Sequence, residues 1–326
     1  MQSFHCPTCG GRVFFDNLHC SCGQGLYFDP DQQLFHTQGE PCSNRTTLAC
    51  NWQAAMGQDL CASCMLTSVH PDLTVADNNA LWALAEGSKR RVLAGLYRWG
   101  WFSHADGGSR PEFHMLSEAT ASGPTQVSMG HQSGVVTINL AECDATERVR
   151  RRENLGESYR TMVGHFRHEI AHFLYERLCE YSGFTNAFAA LFGDVSLDYA
   201  LALNQHYQQG PQAGWEQHYI SSYASSHPHE DWAESAAHAL HLVDLVDSFH
   251  ATSLASAGDD TGYDAYADTH TEKLLQRGLE LGIAFNHVSR GMGLTDLYPF
   301  VTPPQVRDKL HFAHQWLSLA RFDQTV

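Results

Sequence analysis

Between Ala80 and Tyr97 the apolar residues Leu81, Leu84, Val92, Leu93 and Leu96 recur at helical spacing, which predicts one long helix. Lys89-Arg90-Arg91 sits on that helix and reads as a solvated face. A stronger helix is expected from about Glu157 to Tyr181, with Gly183 just beyond as a stop signal. Shorter helices are expected over Thr185–Leu191, Ser196–Tyr207, Trp215–Ala224, Pro228–Phe249, Thr271–Val288 and Pro304–Leu319. Strand patterns are few. Phe113–Leu116 and Val127–Leu140 carry them, the second through the β-branched run Val135-Val136-Thr137-Ile138. Arg148, Arg150, Arg151 and Arg152 open a mixed-charge stretch that reads as a salt-bridged surface. Residues 71–78 read as a polar linker and 251–262 as a small, acidic loop. The pattern predicts an α+β protein, mostly helical with a small antiparallel sheet. Three parts are expected: a module over 1–70, a catalytic domain over 71–250, and a C-terminal helical part over 251–326.

Composition sharpens this picture in two places. The 326 residues carry a formal charge of −16, which argues against a general nucleic-acid binder, since phosphate neutralisation needs clustered Lys and Arg. No apolar run is long enough for a membrane span, and the first residues show neither a basic nor an apolar leader, so a cytoplasmic location is expected. Ten cysteines and 21 histidines both point towards metal. Eight of the cysteines fall before residue 65, and in a reducing compartment such clustering favours metal over disulfides. Cys6, Cys9, Cys20 and Cys22 are expected to hold one structural zinc, in a ribbon with Val13-Phe14-Phe15 and Leu26-Tyr27-Phe28 as its strands. Cys42, Cys50, Cys61 and Cys64 are expected to hold a second. Cys20-Ser21-Cys22 is tighter than the usual knuckle, which leaves His19 as a possible substitute ligand. Residues 1–70 contain two basic and five acidic side chains, so this module lacks the footprint of a DNA or RNA binder.

The chemistry concentrates in His168-Glu169-Ile170-Ala171-His172. Residues four apart project from one helical face, so both imidazoles can reach a single ion. Glu169 is placed to take a proton from water activated by that ion and to return it to the leaving amine. A chain this rich in histidine would produce the five-residue pattern by chance somewhat under roughly a tenth of the time, but its uncharged flank suits a helix packed in a core. A catalytic zinc needs a third protein ligand. Glu230 is the first choice, with Glu234 bracing a ligand histidine as in the glutamate-zincins; Glu234, Asp231 and His238 are the alternatives.

At these residues the chain resembles the bacterial "putative zinc-binding metallopeptidase" family, a zinc ribbon joined to a gluzincin-like body. The matching stretches include Phe4-His5-Cys6-Pro7, Cys50-Asn51-Trp52, Gly134 to Glu142, Tyr159-Arg160-Thr161, Gly164 to Glu169, Tyr223 to Glu234, and Asp296 to Val301. The resemblance implies a zinc metallopeptidase acting on a protein or peptide. It further implies an edge strand, Val135, Val136, Thr137, Ile138 and Asn139, to which an extended substrate adds. An oxyanion stabiliser is also expected, with Tyr298 favoured over Tyr223 and His241. Two competing readings are a zinc-binding scaffold without turnover and a SprT-like protease associated with DNA; the acidic charge disfavours the latter.

Overall fold

The computed structural model describes residues 2–155, 159–252 and 263–319. It divides into two compact units, the first running to Phe166 and the second beginning at Arg167 and including the C-terminal helices. The body is α+β and mostly helical, as the pattern predicts.

In the first unit, β1 (Phe4–His5) pairs with β2 (Arg12–Val13) and β3 (Tyr27–Asp29) with β4 (Leu34–His36), both antiparallel. Phe4, Phe15, Phe28 and Phe35 close edge to face at 5.0–5.7 Å between these ribbons, with Trp52 beside Phe28. A module this small has little apolar area of its own, so these rings and the sulfur clusters make its interior. Two short helices, α1 (Arg45–Leu48) and α2 (Ala62–Met65), lead into β5 (Thr67–Val69) and the long α3 (Asn78–Arg98). The segment before α3 is anchored: Asn78 is buried and its side-chain amide donates to the carbonyls of Asp72 and Ala119. β6 (Glu112–Leu116) follows, then the hairpin of β7 (Ala119–Thr120) and β8 (Gly123–Pro124), β9 (Gly130–Gln132) and β10 (Val135–Asn139).

The main sheet has the order β5-β6-β10-β9, with β10 parallel to β6 and antiparallel to β9. This corrects one expectation. Val135, Val136, Thr137, Ile138 and Asn139 form an interior strand, because Gly130–Gln132 folds back and pairs with Val135–Thr137; β9 is the edge. The pairing is also mostly parallel, not antiparallel. A second correction concerns α3. Lys89 and Arg90 are buried, not solvated: Lys89 pairs with Glu86 at 2.9 Å, and Arg90 donates to the carbonyls of Leu48 and Ala49. Arg91 alone faces outward, to Asp16.

α4 (Ala145–Leu155) carries the arginine run, where Arg150 and Arg151 pair with Glu147 and Arg151 also reaches Glu118. Glu142, buried, receives Arg160 and Arg151. The motif helix α5 runs Met162–Leu178; residues 157 and 158 of the expected helix lie outside those described. The second unit continues with α6 (Phe184–Phe192), α7 (Tyr199–Gln209), α8 (Pro228–Ala251), α9 (Thr271–Gly291) and α10 (Pro304–Ser318). Trp215–Ala224 is not a helix. Two short 3-10 turns, Trp215–Gln217 and Tyr223–Ser226, flank an irregular stretch. Most of the expected loop 251–262 lies outside the described residues.

The core of this unit is aromatic. Trp232 of α8 is fully buried and packs against Phe184, Phe188, Phe192, Tyr175 and Phe312. Its indole N–H donates to the Ala171 carbonyl at 2.8 Å. That bond sets the register of α8 against α5 and so places residues 168–172 opposite 230–234.

Candidate metal centre

His168 Nε2 and His172 Nε2 lie 3.2 Å apart, and Glu230 Oε2 lies 3.0 Å from the first and 3.5 Å from the second. A tetrahedral ion with bonds of about 2.0–2.1 Å would hold its ligand atoms about 3.3–3.4 Å from one another. The triangle therefore has the size of one face of such a site. The lone pairs point the same way. His168 Nδ1 donates to Glu234 Oε1 at 2.8 Å, which turns Nε2, with a lone pair whenever the ring is neutral, towards a carboxylate oxygen. Donor atoms brought this close need positive charge among them, supplied by a metal ion or by protons on the imidazoles. Glu230 is 1% exposed, whereas the His168 and His172 side chains are 13% and 12% exposed, so solvent reaches the cluster from the histidine side.

The electrostatics reflect the crowding. Burial disfavours the Glu230 carboxylate, yet hydrogen bonds with His168 and His172 outweigh it and hold the acid well below its ordinary range. Burial likewise opposes a charged His168, and Glu230 and Glu234 overcome it, so its pKa is raised well above the usual imidazole value. Glu234, opposed by burial and favoured by His168, is held at about 2; Ser221 donates to its other oxygen at 2.6 Å. Glu234 thus orients His168.

The remaining candidates are engaged elsewhere. Asp231 pairs with Lys309 at 2.5 Å, and burial lifts its pKa to about 7 in spite of that cation. His238 Nδ1 lies 3.0 Å from the Tyr298 hydroxyl, and burial lowers its pKa to about 4. His241 and Asp244 both meet Arg167. Tyr298, clamped through its backbone by the Asn286 amide, directs its hydroxyl to His238. Tyr223 stands beside the cluster, its ring centroid 6.0 Å from that of His168. Its phenol is raised first by burial, then by nearby Glu230, with Glu169 contributing too. Glu169 follows His168 on α5 and is 6% exposed. Two residues went unnoticed in the sequence: Tyr199, whose hydroxyl donates to Glu230 Oε1, and Ser221. Neither stands at a spacing that marks it.

In the first unit the eight cysteines gather in fours, as expected, and His19 joins neither set. Sulfur separations are 3.5 Å for Cys9–Cys20, 3.8 Å for Cys6–Cys22, 3.6 Å for Cys50–Cys61 and 3.8 Å for Cys50–Cys64. A disulfide would bring two sulfurs to about 2.05 Å. Four thiolates around one zinc, at about 2.3 Å each, stand about 3.8 Å apart. Backbone N–H groups of Gly11, Cys61 and Cys64 donate to Cys9, Cys42 and Cys61, which favours thiolate over thiol. The donors thus fit metal in both places. The one-residue gap at Cys20-Ser21-Cys22 is accommodated by a tight turn, with Gly23 N–H donating to the Cys20 carbonyl and Gly23 at φ +90°.

The family model described as "Putative zinc-binding metallo-peptidase" matches residues 78–316. Uncharacterized proteins of Mycobacterium bovis and of two strains of Mycobacterium tuberculosis are each 38% identical, over 96% of this chain and 94% of their own. No solved structure matches the chain. Model and relatives each cover most of the sequence, and the chain belongs to the putative zinc-binding metallo-peptidase family.

Proposed function

We propose that the protein is a zinc-dependent peptidase of the gluzincin kind, acting on a protein or peptide. His168, His172 and Glu230 hold the catalytic ion, and the two cysteine sets hold structural zinc. One observation carries the reading: two imidazole nitrogens and one carboxylate oxygen converge on a single face of tetrahedral size. The third donor is a carboxylate and not a third histidine, which favours this reading over a SprT-like one.

Zinc bound there would supply Lewis acidity, polarising a peptide carbonyl and making water acidic enough to attack it near neutral pH. The chain's own residues do the rest. Glu169 accepts a proton from the attacking water on a carboxylate oxygen and passes it to the departing amine. Glu234 holds Nδ1 of His168, so that Nε2 is the nitrogen left to hold the ion. Tyr223, protonated at neutral pH and beside His168, is better placed than Tyr298 to donate to a developing oxyanion. Eight cysteines arranged as thiol sets suit a reducing compartment such as the cytoplasm.

Replacing Glu169 by Gln removes the proton acceptor and leaves the ligands in place. The E169Q protein should retain full zinc content and lose at least about a hundredfold in kcat on a peptide library. Hydrolysis at the rate of the unmodified protein would refute the mechanism.

A further inference from the structure

We infer that Tyr199 is a positioning residue that makes Glu230 present a single oxygen to the ion, keeping a coordination place open for water and substrate. This rests on the reading of His168, His172 and Glu230 as a metal site.

A carboxylate can bind a cation through one oxygen or through both, and the second mode fills a position that catalysis needs. In Glu230 the two oxygens have different surroundings. Oε2 faces the two histidine nitrogens, while Oε1 accepts the Tyr199 hydroxyl proton. A donor seated on Oε1 draws its electron density away from the cluster and fixes the rotation of the carboxylate. The Glu230 side chain is 1% exposed, so water has little access to replace that donor.

Tyr199 is itself held. It is the first residue of α7, after Asp198, whose carboxylate caps the Leu201 N–H at 2.9 Å. Its ring meets His227 edge to face, with centroids 5.2 Å apart. The His227 tautomer follows from its neighbours. Nδ1 accepts the His229 N–H at 3.1 Å, so Nε2 carries the proton and donates to the Leu197 carbonyl at 3.2 Å. An aromatic wall fixed at both nitrogens therefore aims the phenol at Glu230. No residue of α7 is buried, so losing one hydroxyl from it should leave folding intact.

The test uses the full chain with zinc in its cysteine sites, the remaining site being stripped with a mild chelator and reloaded with cobalt. The unmodified protein should show the intense visible absorption of four-coordinate cobalt. In Tyr199→Phe a two-oxygen Glu230 should give the weaker five-coordinate spectrum, with affinity lowered about tenfold or more. Leu201→Ala, an exposed change on the same helix, should match the unmodified protein. A Tyr199→Phe spectrum identical to that of the unmodified protein would overturn the assignment while leaving the metal site standing. Failure of the unmodified protein to take up any cobalt beyond its cysteine sites would overturn both.

Discussion

Lys89 carries its charge into the interior of the first unit. Its ammonium is fully buried, bonded to Glu86 and Thr67, with the Phe113 ring 5.0 Å away. Trp82, Ala85, Lys89, Val92, Leu93 and Leu96 form one buried stripe on α3, so the folded helix carries inside a lysine whose charge reads as a solvated face. Removing one member of a buried pair strands the other, and Lys89→Ala should cost about 3–5 kcal/mol in urea unfolding. The double change Lys89→Met with Glu86→Leu should recover most of that loss, because no lone charge then remains inside. The metal site divides in the same manner. Spacing marked His168 and His172 and narrowed the third donor to Glu230, Asp231, Glu234 and His238. Choosing among these needed Lys309 and Tyr298, which arrive from distant parts of the chain, and Ser221 from the irregular stretch before α8.

At the scale of elements, long periodic helices were legible and polar ones were not. Within Trp215–Ala224 the helix is broken where the Ala224 N–H donates to Ser221 Oγ instead of to a backbone carbonyl one turn back. The strand pattern over Val127–Leu140 is in fact two strands, Gly130–Gln132 and Val135–Asn139, folded back on each other by a turn at Ser133-Gly134 whose positive φ angles the alternation does not announce. Between α9 and α10, His314 is fully buried, 2.9 Å from the Thr271 hydroxyl, and burial lowers its pKa to about 4. An unfolded chain takes up that proton near pH 6.5, before the folded one does. The contribution is therefore complete above pH 6.5 and lost as pH falls towards 4. Between pH 7 and 5 it should amount to about 2 kcal/mol. His314→Leu should show an acid-induced drop in unfolding free energy smaller by that amount, measured in urea at both pH values.

At the scale of the whole molecule, a net charge of −16 coexists with local positive charge where it matters. The hydrogen bond with Cys42 holds the Cys50 thiol above its ordinary range with Arg90 opposing it, and Lys89 adds a little to the lowering of Cys64 by its fellow cysteines. Among the described residues no helix is long and apolar enough to cross a membrane. The two sulfur sets differ in a way that no spacing rule reveals. Cys42, Cys50, Cys61 and Cys64 are all buried, whereas Cys9 and Cys22 are exposed.

That asymmetry gives the molecule a ranking of vulnerabilities. Under a mild excess of a thiol-alkylating reagent, Cys9 and Cys22 should react first and release about one equivalent of zinc to a colorimetric dye. The shielded set should surrender its ion only after denaturant is added. Simultaneous release from both would contradict the ranking. In a cell short of zinc or rich in electrophiles, the tip of the ribbon would thus be the first part of this protein to register the change.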